Sequence, residues 1–185
     1  MSKIALTGNA SGTGTLTIAA PNTNTDRTLT LPDSAGTMML TDTGVTTAQL
    51  PTGSVLQVVH VDGPSSTVSK TGAGSLTVLS AAITPSSTSN KVLVLGTAYA
   101  SGNGGSNTWI QIEILRDATI LKYGPYQGIS LSGQGAALAT NYLDSPSTTS
   151  ETTYHVNLER GSSGTDGWEA TTGRSSITLM EIAGS

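Results

Sequence analysis

Hydrophobic and polar residues alternate with period two along nearly the whole chain, and almost nowhere does the 3.6-residue period of an amphipathic helix appear. In TLTI, Leu16 and Ile18 share one face while Thr15 and Thr17 share the other; in RTLTLP, Leu29 and Leu31 oppose Thr28 and Thr30. Pro21, Asn22 and Asn24 supply turn chemistry between the two runs, which predicts a β-hairpin with a longer loop. PDSAG at 32–36 is a second turn and leads into the short apolar run that holds Met38 and Leu40. Residues 1–43 therefore read as about three short strands.

A polar stretch follows and reads as a linker over 44–53. Beyond it, strand patterns come in quick succession at 54–61, 75–83, 90–100, 108–117, around 119–123, 154–160 and 176–183, and GISLSGQGAALATNYLD adds one or two more. Separators such as DGPSS, TPSSTSN, SGNGGSN, DSPSTTS and GSSGTDG are turns or loops by composition. Short strands at this spacing predict an all-β fold in which residues 54–185 form a jelly-roll-like β-sandwich behind an N-terminal β-hairpin arm. The near-continuous apolar run KVLVLGTAYA is expected at the sandwich centre, buried on both faces.

The arm poses a question of magnitude. Its few aliphatic side chains cannot bury enough surface to offset the entropy of ordering some 40 residues. It needs a partner surface, either its own head or identical arms from other subunits. Leu16, Ile18, Leu29, Leu31, Met38 and Leu40 are the residues expected to form that interface. Threonine between them keeps strand propensity on both faces and sits equally well against another chain or water, where a uniformly apolar strand would aggregate.

Composition narrows the partners. Of 185 residues only 11% are charged and 4% aromatic, with no Phe, so the surface is rich in hydroxyls and weak in electrostatic steering. A net charge of -4 and eight scattered basic residues argue against nucleic acid, which needs clustered Lys and Arg. The absence of Cys removes disulfides and thiolate metal sites. The N-terminus lacks the pattern of a secretory signal, and no window approaches the roughly 18 apolar residues of a membrane span. Synthesis in a cytoplasm, with later exposure by release of a particle, is the expectation.

Candidate chemistry is sparse. His60 and His155 sit in strand patterns and read as solvent-facing or interface residues; no serine lies in a nucleophile-elbow motif. The carboxylates read as too scattered for an acid/base pair, and Asp26, Asp33 and Asp42 sit beside turn residues where they bond local amides. No calcium-loop motif occurs, and the glycine-rich GNGG and SGTG precede no helix that could hold a phosphate. Neither cofactor nor metal is expected, and the chain reads as a non-enzyme. Trp109 begins an alternating strand and reads as core or interface. Trp168, in what reads as a polar loop, and Tyr123 and Tyr126 around a Gly-Pro pair are candidates for contact with a partner or a glycan.

The segment ALTGNASGTGTLTIAAPNTNTDRTLTLPDSAGTMMLTD resembles one found in bacteriophage tail-fibre and other virion structural proteins. PTGSVLQVV, ITPSSTSNKVLVL, NYLDSPSTTSETTYHVNLER and SSITLMEIAGS resemble the same group in the same order. The resemblance implies a homotrimeric phage particle protein with a jelly-roll-like head, exposed at the virion surface and partnered by itself and by the major capsid protein or other virion proteins. A head reached after only about 50 residues, with no long shaft ahead of it, suits a capsid decoration or cement protein. A tail-fibre or receptor-binding tip contacting host surface glycans is the alternative.

Overall fold

Alternation becomes two distinct faces once the strands pair. The computed structural model describes residues 50–185 apart from 104–107, 130–132 and 162–166, together with scattered positions between 7 and 28. The chain divides into two units, Met1–Met38 and Met39–Ser185. In the first, bends fall at Asn22 and at Asn24 and Thr25, where the Thr25 amide donates to Thr23 Oγ1 at 3.1 Å. The arm residues Leu16, Ile18, Leu29, Leu31, Met38 and Leu40 lie outside the described residues.

The second unit is all-β among the described residues. Its strands are β1 (Val55–Gly63), β2 (Val68–Thr71), β3 (Gly74–Ile83), β4 (Lys91–Asn103), β5 (Thr108–Arg116), β6 (Thr119–Ile129), β7 (Gly135–Asp144), β8 (Thr152–Arg160), β9 (Gly167–Ala170) and β10 (Ser175–Ile182). One antiparallel sheet runs β1-β10-β4-β9-β2 with β7 on the other edge of β4; the second runs β3-β8-β5-β6. β10 pairs with β4 over residues 91–97 and β9 pairs with it over 101–103. The short strands β9 and β2 thus prolong the lines of β10 and β1. Two four-line sheets result, and their order is that of a jelly roll.

Two strands, β2 and β9, fall where composition reads as loop. Trp168 is the consequential case. It is fully buried in β9, paired with Lys70 on one side and Gly102 on the other, which corrects the expectation of a loop residue available for contact. The physical reason is volume: a core without Phe needs its largest apolar side chain inside. The indole Nε1 has no hydrogen-bond partner, the cost of that placement.

KVLVLGTAYA also departs from expectation. Val92, Val94, Ala98 and Ala100 are buried, but Leu93 is half-buried and Leu95 is 36% exposed. β4 is central in its sheet, yet the opposing sheet covers only one of its faces, as in any two-layer antiparallel sandwich.

Between the layers, Ile110, Ile112, Ile114, Tyr154, Val156 and Leu158 of the second sheet share one core with Val92, Val94, Leu138, Trp168, Ile177 and Leu179 of the first. Gly96 is a tight point of this contact, where an added Cβ would lie 2.8 Å from Val156 Cγ2. Two buried polar clusters tie the sandwich ends. Asp144 accepts from Arg116 Nη1 (2.8 Å) and from the Tyr154 hydroxyl (2.7 Å), joining β7, β5 and β8. Glu181 in β10 accepts from Gln57 Nε2 (2.7 Å), the Ser86 amide (2.7 Å), Ser86 Oγ (2.8 Å) and Asn90 Nδ2. Burial alone would raise the Glu181 pKa, but the bonds from Asn90, Gln57 and Ser86 outweigh it and the net shift is downward.

Two outcomes follow. Gly96→Ala overpacks the layer contact and costs about 1–3 kcal/mol in urea denaturation. Because the folded pKa of Glu181 lies below its unfolded value, its stabilisation is present above the unfolded pKa and lost as pH falls through the folded one. Glu181→Ala should therefore be markedly less stable than the parent at pH 7 and lose much less against it in acid, read from denaturation midpoints across pH 3–7.

Candidate functional site: the two outward sheet faces

Pairing register shows what each sheet presents to its surroundings. On the first sheet Val58 lies beside Met180, Met180 beside Leu93, and Leu93 beside Leu143, so one apolar row crosses all four strands. Val58 is 56% and Leu143 48% exposed, with Met180 and Leu93 half-buried between them. Val55 and Ile182 continue the apolar surface on one side and Leu95 on the other. Further along, the face turns to hydroxyls: Thr178, then Ser176 and Thr97, whose Oγ atoms are 2.9 Å apart. His60 lies on this face, within 2.7 Å of Thr178 Oγ1 and 3.0 Å of Asp62 Oδ1. No signal in any single segment marks the row, because its four members come from four strands.

The second sheet presents different chemistry. Gln111 pairs with Tyr126 and Glu113 with Tyr123, so β6 sets two residues, Gly124 and Pro125, opposite the single Ile112 of β5. The bulge falls at Gly124–Pro125 on the edge strand, where a proline is tolerated. Its effect is specific. Residues three apart in a regular strand point to opposite faces, but the extra residue turns Tyr123 and Tyr126 to the same one, 56% and 71% exposed.

Trp109, two residues before Gln111, stands on this face too. Its ring meets Tyr126 edge-on, with centroids 6.1 Å apart and planes at 61°. It lies over Gly161, where a Cβ would run into the indole. Trp109, Gln111 and Tyr126 line an open cleft of about 360 Å3. Gln111 donates Nε2 to the Gly124 carbonyl at 2.9 Å, which ties the cleft floor to the bulge.

Across β8 the same face continues into a polar row. Glu159 pairs with Gln111 and Asn157 with Glu113. Ser75 Oγ donates to Glu113 Oε2 at 2.6 Å and accepts from Asn157 Nδ2 at 3.1 Å. Asn157 Oδ1 is buried without a partner. Burial raises the Glu113 pKa; the Ser75 bond opposes this and the neighbouring Glu159 carboxylate adds to it. Two carboxylates that read as scattered in the chain are thus brought side by side, which a strand-by-strand reading had no means of seeing. His155 stays on the outward side as well, with Nδ1 2.7 Å from Ser80 Oγ. Among the described residues no three His, Asp or Glu side chains converge on a common point.

Of the three contact candidates, then, the structure unites Tyr123 and Tyr126 and withdraws Trp168 into the core. Trp109, Gln111, Glu113, Asn157 and Glu159 join them.

No family model matches the chain, and no curated protein matches it. Solved structures similar to it include the T13 infectious bursal disease virus particle (16% identity, 69% of this chain, 31% of that one, TM-score 0.48). The Gx strain of that virus gives 13% identity over 69% of this chain and 38% of the other, with a TM-score of 0.42. Eiger TNF from S. frugiperda gives 9% over 69% and 93%, with 0.41. The chain spans about a third of the length of the viral chains it matches.

The Glu113 environment yields a signed expectation. A folded pKa above the unfolded one means that its favourable contribution is complete below the unfolded pKa and is lost as pH rises through the folded value. Glu113→Gln should accordingly melt above the parent at pH 7 and alongside it near pH 4, measured by differential scanning fluorimetry.

Proposed function

We propose that this chain is a non-enzymatic structural protein of a bacteriophage virion, most specifically a homotrimeric capsid cement or decoration protein that bridges capsid subunits at symmetry axes. The observation that carries the reading is the Val58–Met180–Leu93–Leu143 row. A contiguous apolar band across a whole sheet face is costly in water and suits a surface closed by other copies of the same chain. The sequence resemblance to virion structural proteins supports the same reading. In it, residues 1–43 are an oligomerisation arm, 44–53 a linker and 54–185 the head.

The mechanism is additive burial. Three arms bury one another's Leu and Ile faces, the heads pack around a threefold axis, and Thr- and Ser-rich surfaces with little charge stay soluble. Other loops, or the arm, meet the capsid protein and tie neighbouring capsomers. A tail-fibre or receptor-binding tip is the second reading, favoured by the paired exposure of Tyr123 and Tyr126.

Copy number separates the two. Quantitative protein analysis of purified virions should give hundreds of copies for a cement and a few dozen or fewer for a fibre. Light scattering tests the trimer. Leu143→Lys with Leu93→Lys should shift the species from trimer to monomer without loss of β-sheet circular dichroism, and deletion of 1–43 should weaken trimer or particle attachment. An unchanged, particle-binding trimer in both variants overturns the assembly mechanism.

A further inference from the structure

The outward face of the β3-β8-β5-β6 sheet is built unlike the apolar face behind it, and assembly leaves it unexplained. It combines three features. The first is an aromatic cleft: Tyr126, mostly exposed, and Trp109, its ring held over Gly161, form an angled wall around Gln111. At about 360 Å3 the cleft lies at the small end of the roughly 300–1,000 Å3 usual for small-molecule sites.

The second is a floor rich in acceptors. Glu159 stands beside Gln111 in register, and Ser75 spends its hydroxyl proton on Glu113. Gln111 spends an amide proton on Gly124. The third is an unmet demand. Asn157 is 7% exposed, faces this surface beside Glu113, and has a buried Oδ1 with no donor. A buried acceptor without a partner is costly, and a water ordered beneath a hydroxyl-bearing ligand would relieve that.

Aromatic faces beside converging acceptors suit a ligand with one apolar face and a rim of O–H donors. A pyranose has that shape: its axial C–H groups lie against a ring while its hydroxyls donate outward. The carboxylate of Glu159, with Glu113 behind it, repels a second negative charge, so the site discriminates against acidic sugars. We propose that the Trp109–Gln111–Tyr126 cleft, continued by Glu159, is a binding site for a neutral saccharide. The bulge at Gly124–Pro125 is its positioning device, because without it Tyr123 and Tyr126 would lie on opposite faces.

This site goes beyond the assembly role and does not depend on it, since all of its residues belong to a single head. An open cleft predicts weak affinity per site, raised by multivalency wherever several heads are displayed together.

The test uses the full chain and saturation-transfer NMR with millimolar methyl glucoside, methyl galactoside, N-acetylglucosamine and rhamnose, and with N-acetylneuraminic acid as the charged comparison. At least one neutral sugar should give a signal that falls at least fivefold in Tyr126→Ala and in Gln111→Ala and recovers in Tyr126→Phe; the acidic sugar should give none. Silence from all four neutral sugars, a signal indifferent to Tyr126→Ala, or an equal response to N-acetylneuraminic acid overturns the proposal. Where Gln111→Ala loses its circular dichroism signal, Tyr126→Ala and its rescue by Tyr126→Phe decide alone, because Tyr126 is 71% exposed. Light scattering on the same samples reports the trimer separately, so loss of sugar binding and loss of assembly are told apart.

Discussion

The contact between the two layers governs everything else in this head. With no Phe in the chain, the layers meet mainly through aliphatic side chains: Ile110, Ile112, Ile114, Val156, Leu158 and Tyr154 of one sheet face Val92, Val94, Leu138, Ile177, Leu179 and Gly96 of the other. Among the described residues Trp168 and Tyr154 are the aromatic side chains fully inside. The layer contact also consumes one face of every strand. What remains outward is whatever the alternation did not need for the core, and the two outward faces are therefore free to differ.

They differ in chemistry. One face carries an apolar row of four strands, shading into Thr and Ser, and suits contact with another protein surface. The other carries aromatic rings, amides and carboxylates around a cleft and suits a small polar ligand. Buried polar clusters at Asp144 and Glu181 serve both. They hold strands that are distant in sequence at fixed heights, so that the rows on each face stay in register. Fully bonded clusters of this kind specify pairing more than they add stability, because the desolvation of each carboxylate offsets much of what its bonds return.

The edge bulge shows how a local irregularity changes chemistry. Gly124 and Pro125 are poor strand residues, and on a central strand they would break the ladder. On β6 they cost little, and they re-aim a tyrosine. The edge strand thus tolerates a backbone irregularity that the central strands β4, β5, β8 and β10, bound on both sides, do not.

The sequence by itself determined the all-β class, the positions of most strands and the side of each on which its aliphatic residues fall, because period-two alternation is a local property that survives any tertiary context. It also singled out Tyr123 and Tyr126, which cross-strand register places exposed on one face. It misplaced Trp168, since flanking Gly, Asp and Thr read as loop until β2 and β4 are seen to pair with it. It overstated the burial of KVLVLGTAYA, since continuous hydrophobicity does not reveal whether a second layer covers the outer face. Only the tertiary structure brought Glu113 beside Glu159, Trp109 beside Tyr126, and four aliphatic residues into one row. Those relations depend on cross-strand register between distant segments, which is set by long-range pairing and core packing rather than by any local pattern.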